Sequence, residues 1–320
     1  MPACRDFIDR LQLRASLHRL IRKFFFERHV LEVETPMLSS AGNTDPNIMS
    51  FRTCFSGHVD AGVRERYLRT SPEFPLKRLL ASGIGDCYEL GRVFRNAECG
   101  ARHNPEFSML EWYRTGWNQR DLARETVDLV QAALDQVGRV ADVHVTTYGR
   151  LFQDHLGLEP HQAPVASLRM PLEAYAIDPA GLGRDDWLDL LMTHCIQPQF
   201  PLDRITVIHD YPASQCALAR VRQDAVPVAE RFELYLGSSE LANGYHELND
   251  AVEQRARFER DNAVRRARGM HEVPLDEGLL EILGQLPDCA GVALGVDRLL
   301  MCMAGTERIA DVLAFTFSNA

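Results

Sequence analysis

The segment from Cys87 to Arg114, CYELGRVFRNAECGARHNPEFSMLEWYR, constrains the chain more than any other. It reads as a strand, a charged loop and a second strand. Alternate side chains of an extended chain share a face. Phe107, Met109, Glu111 and Tyr113 then lie on one side of the second strand, with Ser108, Leu110 and Trp112 on the other. Glu89, Gly91, Val93 and Arg95 form the corresponding face of the first. Paired, the strands would line one floor with a guanidinium, a flat ring, a carboxylate and a phenol. Singly, an Arg and a Glu on neighbouring strands make an ordinary solvated pair, and a Phe at period two packs in a core. Together they suit a nucleotide lying beside a small cationic molecule.

The bulk numbers fit an ordinary soluble protein. With 320 residues, 46% of them hydrophobic, the chain can bury one large core or two modest ones. No apolar run approaches a membrane span, and the start shows no apolar stretch followed by a cleavage-type site, so neither membrane nor secretory signal is expected. Leu13, Leu17, Leu20, Ile21, Phe24 and Phe25 recur at helical spacing and predict an amphipathic helix. The eight cysteines (4, 54, 87, 99, 195, 216, 289 and 302) include no C-x-x-C pair, which predicts reduced thiols, a cytoplasmic setting and no thiolate-bound metal. A net charge of −10 argues against an extended nucleic-acid surface.

Further along, Val30–Leu38 alternates like a strand and meets a proline at 36. A strand at Tyr67–Thr70, a turn at Ser71-Pro72-Glu73 and a helix near Leu76–Ala81 precede the Cys87 segment. Asp121–Val137 predicts a helix. Between about 138 and 204 the pattern weakens, which predicts a peripheral, mostly helical insertion in a single domain spanning 1–320. ITVIHDY, VAERFELYLG and SSELANGYHEL then read as strands, followed by a charged helix from Asp250 to about Arg268. Runs of strands with helices between and after them predict an α+β domain, an antiparallel sheet flanked by helices.

A second constellation is acidic. Glu233, Glu240 and Glu247 are spaced seven apart around a turn at Gly237-Ser238-Ser239. Glu233 and Glu240 flank that turn on paired strands, and two carboxylates facing a triphosphate are natural magnesium ligands. Asn243-Gly244 reads as a bulge that would bring Glu240, Asn243 and Glu247 to one face. A third element is GVALGVDR, Gly291–Arg298. Its glycines permit close approach of a ligand, and Gly295 opens a helix whose N-terminus favours an anion, with Arg298 in the first turn.

In this order the segments resemble the three signature motifs of class II aminoacyl-tRNA synthetases, specifically the lysyl enzyme. VLEVETPML resembles the dimer-forming first motif, FRNAECGARHNPEF the second and GVALGVDRLL the third. TSPE, RHNPEFSMLEWY and ELANGYHEL are lysine-enzyme features. The first motif begins near residue 30, which leaves no room for an anticodon-binding barrel before it. That short form, with YPASQCALAR, VAERFELY and PDCAGVALGVDRL, resembles the elongation factor P–(R)-β-lysine ligases (PoxA/GenX-type), paralogues of lysyl-tRNA synthetase.

The resemblance implies a class II synthetase-like catalytic domain that uses ATP and Mg2+ to activate (R)-β-lysine. The acyl group would pass to a lysine of elongation factor P, with no tRNA required. It further implies a lysine 2,3-aminomutase as the source of (R)-β-lysine, and a homodimer. By residue, it gives Arg95 to the α-phosphate and substrate carboxylate, and Arg102 and His103 to the outer phosphates. Phe107 lies under adenine, Arg298 covers it, and Asn96, Ala97, Asn104, Leu241 and Gly295 complete the nucleotide set. Glu233 and Glu240 match the magnesium carboxylates. Glu111, Tyr113, Asn243 and Glu247 match the pocket for the distal ammonium, with Ser71, Pro72 and Glu73 receiving the other amino end. Ala97 departs from the usual F-R-N-E, with Glu98 next to it. Ala293 stands where lysyl enzymes carry glycine, and its methyl would narrow the pocket floor. Two alternatives remain: a lysine-adenylating enzyme with tRNA or a small molecule as acceptor, and a non-catalytic binding or regulatory module.

Overall fold

Twelve of the segments settle as strands in the computed structural model, which describes residues 2–320 apart from the side chains of residues 2–6 and 61. They are β1 (Leu31–Glu32), β2 (Leu38–Ser39), β3 (Arg52–Cys54), β4 (Glu65–Leu68), β5 (Cys87–Phe94) and β6 (Glu106–Thr115). β7 (Asp142–Thr147), β8 (Arg204–Pro212), β9 (Val221–Arg222), β10 (Val228–Leu236), β11 (Ser239–His246) and β12 (Cys289–Gly295) follow. The α-helices are α1 (Pro2–Phe26), α2 (Glu73–Ala81), α3 (Gln119–Asp135), α4 (Tyr148–Leu156) and α5 (Val165–Arg169). Then come α6 (Arg184–Leu191), α7 (Ala251–Ala267), α8 (Glu277–Ile282) and α9 (Val296–Ala304). They build two units, one from the segment ending at Gly116 with Leu248–Ala320, the other Trp117–Glu247.

In the first unit β1 runs parallel to β5, and β5, β6 and β12 are antiparallel neighbours in that order. The apolar stripe of α1 covers one face of this sheet. Leu17, Ile21 and Phe25 are buried, and Phe25 stacks on Tyr88 with centroids 4.5 Å apart and meets Trp112 edge-on at 5.4 Å. Covering the Tyr88/Trp112 face turns the Glu89/Glu111 face the other way. β2, β4 and β3 form a small antiparallel sheet.

In the second unit β11, β10 and β8 are antiparallel neighbours, β9 joins β10, and β7 lies parallel to β8. Tyr148, Phe152, Leu188, Leu191 and Ile196 pack with Ile208, Tyr211, Ala229 and Tyr235 as one apolar core. α3 starts on a capping box in which Asn118 and Asp121 satisfy each other's backbone N–H groups.

Several expected boundaries move. The strand expected over Val30–Leu38 is two dipeptides, β1 and β2, because Pro36 has no N–H to donate to a ladder. The strand expected at Tyr67–Thr70 is β4, ending at Leu68, and the helix expected near Leu76 begins at Glu73, directly after Pro72. The weakly patterned 138–204 segment holds α4, α5 and α6 and also a strand, β7, whose VHVTT run suits a pleated edge. Cys4 lies among the undescribed side chains, and the other seven cysteines are free thiols. Among the described residues no helix is long and apolar enough to cross a membrane.

Candidate active site

The β5/β6 register pairs Glu89 with Glu111, Gly91 with Met109 and Val93 with Phe107. The expected floor therefore forms. Arg95 follows β5, its N–H donating to the Pro105 carbonyl at 2.9 Å. Its guanidinium carbon lies 5.3 Å from the Phe107 ring centroid, within cation–π range. Arg95 Nη1 is 3.7 Å from the Glu98 carboxylate.

The loop between the strands is tied down at several points. Asn96 donates its N–H to the Met49 carbonyl, and its side-chain oxygen accepts from Ala97 N–H at 2.9 Å. Ala97 is left-handed (φ 68°), a conformation that L side chains rarely adopt. Gly100 and His103 form a bridge, and the Ala101 carbonyl accepts from Ile309 N–H. Asn104 is occupied by backbone on both sides, donating to the Glu106 carbonyl and accepting from Phe317 N–H at 2.9 Å. Its amide therefore pins the C-terminal segment to the loop base.

Arg298 meets this loop, with Nη2 2.8 Å from His103 Nε2. Burial and the neighbouring Arg298 charge hold the His103 imidazole below its ordinary value, so the ring is neutral and accepts. The preceding Asp297 is buried, accepts from Ser108 N–H at 2.7 Å and pairs with Arg14 of α1. Arg14 also donates to the Val312 carbonyl. A β-carbon on Gly295 would meet only the Arg298 side chain, at 3.7 Å, so the protein's own packing does not require glycine there.

The same unit brings together Glu111, Tyr113 and Ser71 of the residues expected around the substrate, while Asn243 and Glu247 belong to the second unit. Glu111, only 2% exposed, accepts the Ser71 hydroxyl at 2.6 Å and the Tyr113 hydroxyl at 2.8 Å. Ser71 Oγ also accepts from Glu73 N–H, which fixes the Ser71-Pro72-Glu73 turn at the start of α2. Glu73 pairs with Lys77 at 2.6 Å. Ala293 of β12 is registered opposite Glu111, so its methyl shares that face.

In the second unit the bulge is displaced from its expected position. Asn243 and Gly244 pair normally with Glu233 and Phe232, and the register shifts between Leu234 and Tyr235 instead. Leu234 faces Ala242 while Tyr235 faces Glu240, so Leu241 is the extra residue. Leu241 is buried, as is the following Ala242. Part of the expected consequence follows, because Glu240 and Asn243 share one face with Glu233 and Tyr235, while Glu247 lies beyond the end of β11 and outside this register. Leu241 can offer a ligand only its backbone.

Glu233, 8% exposed, is gripped by Arg231 and by the Tyr235 hydroxyl. Arg231 also donates to the Asn243 side-chain oxygen at 3.1 Å and lies over the Tyr211 ring at 4.6 Å. Gln197 donates to the Tyr235 hydroxyl, and Asn243 donates to the Tyr245 hydroxyl. Glu247 is buried, with its carbonyl accepting from Arg220 Nε at 2.8 Å. Glu233 and Glu240 are oxygen donors of the kind magnesium takes, and the grip on Glu233 resembles the outer-shell support that ligating carboxylates receive. Among the described residues no group of three or more His, Cys, Asp or Glu is arranged to hold a metal, so further ligands would be phosphate and water.

Sequence reasoning missed the supporting residues Arg14, Thr35, Arg69, Lys77, Arg231 and Tyr235. Arg231 and Tyr235 were legible, since they flank Glu233 at period two on a strand already assigned. Lys77 was legible too, as the i,i+4 partner of Glu73 on one helix, whereas Arg14, Thr35 and Arg69 lie in segments distant in sequence from the acids they hold.

A sheet carrying an arginine over a ring, and a glycine strand opening a helix with a second arginine, is the architecture of the class II synthetases. The family model of tRNA synthetases class II (D, K and N) matches residues 5–319. The elongation factor P--(R)-beta-lysine ligases of Enterobacter sp. (strain 638), Salmonella gallinarum and Salmonella paratyphi B are each 45% identical over 317 residues, covering 98% of this chain and 96% of theirs. The chain belongs to the class II tRNA synthetase family, in the branch it shares with these ligases.

Proposed function

We propose that this chain uses ATP to activate (R)-β-lysine, or lysine, as an aminoacyl-adenylate and transfers it to a lysine side chain of elongation factor P. The observation that carries the reading is Glu111, a buried carboxylate held by two hydroxyls in the same sheet that sets Arg95 beside Phe107. The identity shared with the named ligases supports the choice of substrate and acceptor.

The substrate carboxylate is ionised near neutral pH, so its attack on the α-phosphorus needs no general base. A carboxylate oxygen bonds to phosphorus, the bridging P–O bond breaks, and pyrophosphate leaves. What the protein supplies is alignment and compensation of developing negative charge. Arg95 compensates at the α-phosphate, and Arg298, Arg102 and His103 hold the outer phosphates. Phe107 underlies adenine, with Asn96, Ala97, Asn104, Leu241 and Gly295 around the nucleotide. Glu233 and Glu240 would hold magnesium, which neutralises phosphate charge when bound. Glu111 with Tyr113 receives the distal ammonium, Ala293 narrows the floor, and Ser71, Pro72 and Glu73 receive the other amine; Glu247 and Asn243 of the second unit keep the ammonium and substrate roles that the resemblance gives them. The acceptor amine then attacks the acyl carbon, AMP leaves with the C–O bond electrons, and the amine loses its proton.

The same reading includes supply by a lysine 2,3-aminomutase, a cytoplasmic setting, independence of tRNA, and one catalytic domain with a mostly helical insertion at about 138–204. It also includes a homodimer, favoured by Leu31, Met37 and Leu38, which are apolar and about half exposed along the first motif. One assay tests the core. The protein, ATP and labelled (R)-β-lysine or lysine are offered elongation factor P and tRNA in parallel. Label should pass to elongation factor P alone, and label on tRNA would overturn the acceptor assignment.

A further inference from the structure

Glu89 and Glu111 stand directly opposite each other in the β5/β6 register, on one buried face. Like charges in that position oppose pairing, and two close carboxylates drive one of them to keep its proton. A protonated Glu111 would not attract an ammonium.

Arg69 answers this conflict. Its side chain is 4% exposed and that of Glu89 5%, with Nη1 2.6 Å from the carboxylate. Nε donates to the Arg92 carbonyl at 3.0 Å, and Nη1 to the Thr35 carbonyl and hydroxyl. The Thr35 hydroxyl in turn donates to Glu89 at 2.7 Å. The guanidinium lies across Gly91, where a β-carbon would stand 2.5 Å from Nη2. Glycine is therefore required at 91 by the arginine. The pair has no opening to water, and Arg69 Nη2 is buried without a hydrogen-bond partner.

We infer that Arg69, acting through Glu89, sets the charge of the amino-acid pocket. It neutralises the carboxylate opposite Glu111, so that Glu111 meets the substrate as an anion. Arg69 is thus a positioning residue for specificity. Glu73 is matched in the same way by Lys77, itself 1% exposed. The remaining groups around the pair are the hydroxyls of Thr35, Ser71 and Tyr113 and the Cys87 thiol. Burial first, then the charges of Asp86, Glu111 and Glu89, push that thiol up to about 12, so it stays protonated. Ala293, from the third strand, brings no charge.

The inference rests on the lysine-activating reading, and pyrophosphate exchange tests the two separately. The KM for the amino acid is measured between about pH 5.5 and 8.5 in the unsubstituted enzyme, Arg69→Met, Glu89→Gln and the double variant. The KM for ATP serves as the control for folding. Arg69→Met should raise the amino-acid KM at least about tenfold at the acid end, falling as pH rises and Glu111 ionises, with the KM for ATP within about twofold. The double variant should restore a flat profile and most of the affinity. Glu89→Gln leaves an unmatched cation in the floor, so it should raise the KM without a pH slope. If Arg69→Met does not fold, the other two variants decide. A flat profile in Arg69→Met, a double variant as impaired as the single, or a pH slope in Glu89→Gln would overturn the inference. Absence of exchange in the unsubstituted enzyme would instead refute the lysine-activating reading.

Discussion

In the first unit buried acidic groups are held largely from a distance in sequence: Glu89 by Arg69 and Thr35, Asp297 by Arg14, and Glu111 by Ser71 as well as by Tyr113 of its own strand. In the second unit Glu233 is held by its own strand, through Arg231 and Tyr235 two residues to either side. On the proposed function the difference is one of purpose as well as of chain distance. A pocket for an organic ammonium must be closed from several directions, and each buried charge in it needs its own partner. A pair of carboxylates offered to a metal needs only a stiff hairpin, because phosphate and water complete the shell.

The largest expected effect attacks the first pocket through its substrate. A lysine analogue with a methyl in place of the distal ammonium should lose about 10⁴-fold or more in kcat/KM, since Glu111 would stay buried without its cation. An analogue within tenfold of lysine would show that Glu111 does not read the ammonium.

Next is the long-range scaffold. Arg14→Ala leaves Asp297 buried and uncompensated, and urea unfolding should show a loss of ~3–5 kcal/mol. A change below ~1 kcal/mol would mean that the contacts of Asp297 with Ser108 suffice.

Arg95→Ala should cost about 2–4 kcal/mol of transition-state stabilisation, read as a drop in pyrophosphate exchange with the circular dichroism spectrum unchanged. Near-normal exchange would remove Arg95 from the reaction.

In the second unit Arg231→Met should loosen Glu233. The magnesium concentration for half-maximal exchange should rise about 10–100-fold, with the rate at saturating magnesium largely kept. An unchanged titration would detach Glu233 from the metal.

The smallest effect is on pH. His103 is held below its ordinary value by burial and by Arg298. A group depressed in this way is neutral when folded, so its contact with Arg298 is present at neutral pH and lost as pH falls below ~6.5. The KM for ATP should climb a few-fold on the acid side, and His103→Gln should flatten that climb. The same climb in His103→Gln would assign it to another group.

Much of the site was legible. Alternation alone put Phe107, Met109 and Glu111 on one face opposite Glu89, Gly91 and Val93, because side-chain direction in a strand is a property of the chain itself. The proline at 36 was legible too, but its consequence, a strand reduced to two dipeptides, was read too weakly. Composition points to a bulge at Asn243-Gly244, whereas the strand register places it at Leu241. Asn104 has the right residue type for a nucleotide contact, and the sequence did not show that its amide also makes one backbone hydrogen bond on each side.

The amino-acid sequence by itself determined which side chains share a face, where the arginines and carboxylates of the site fall, and which helix opens at Gly295. Those follow from periods of 2 and 3.6, which a chain carries before it folds. Only the tertiary structure decided who neutralises whom across the fold: Arg69 with Glu89 and Arg14 with Asp297. Such pairs form where elements far apart in sequence pack and exclude water, and that low-dielectric neighbourhood is what makes a matching charge obligatory.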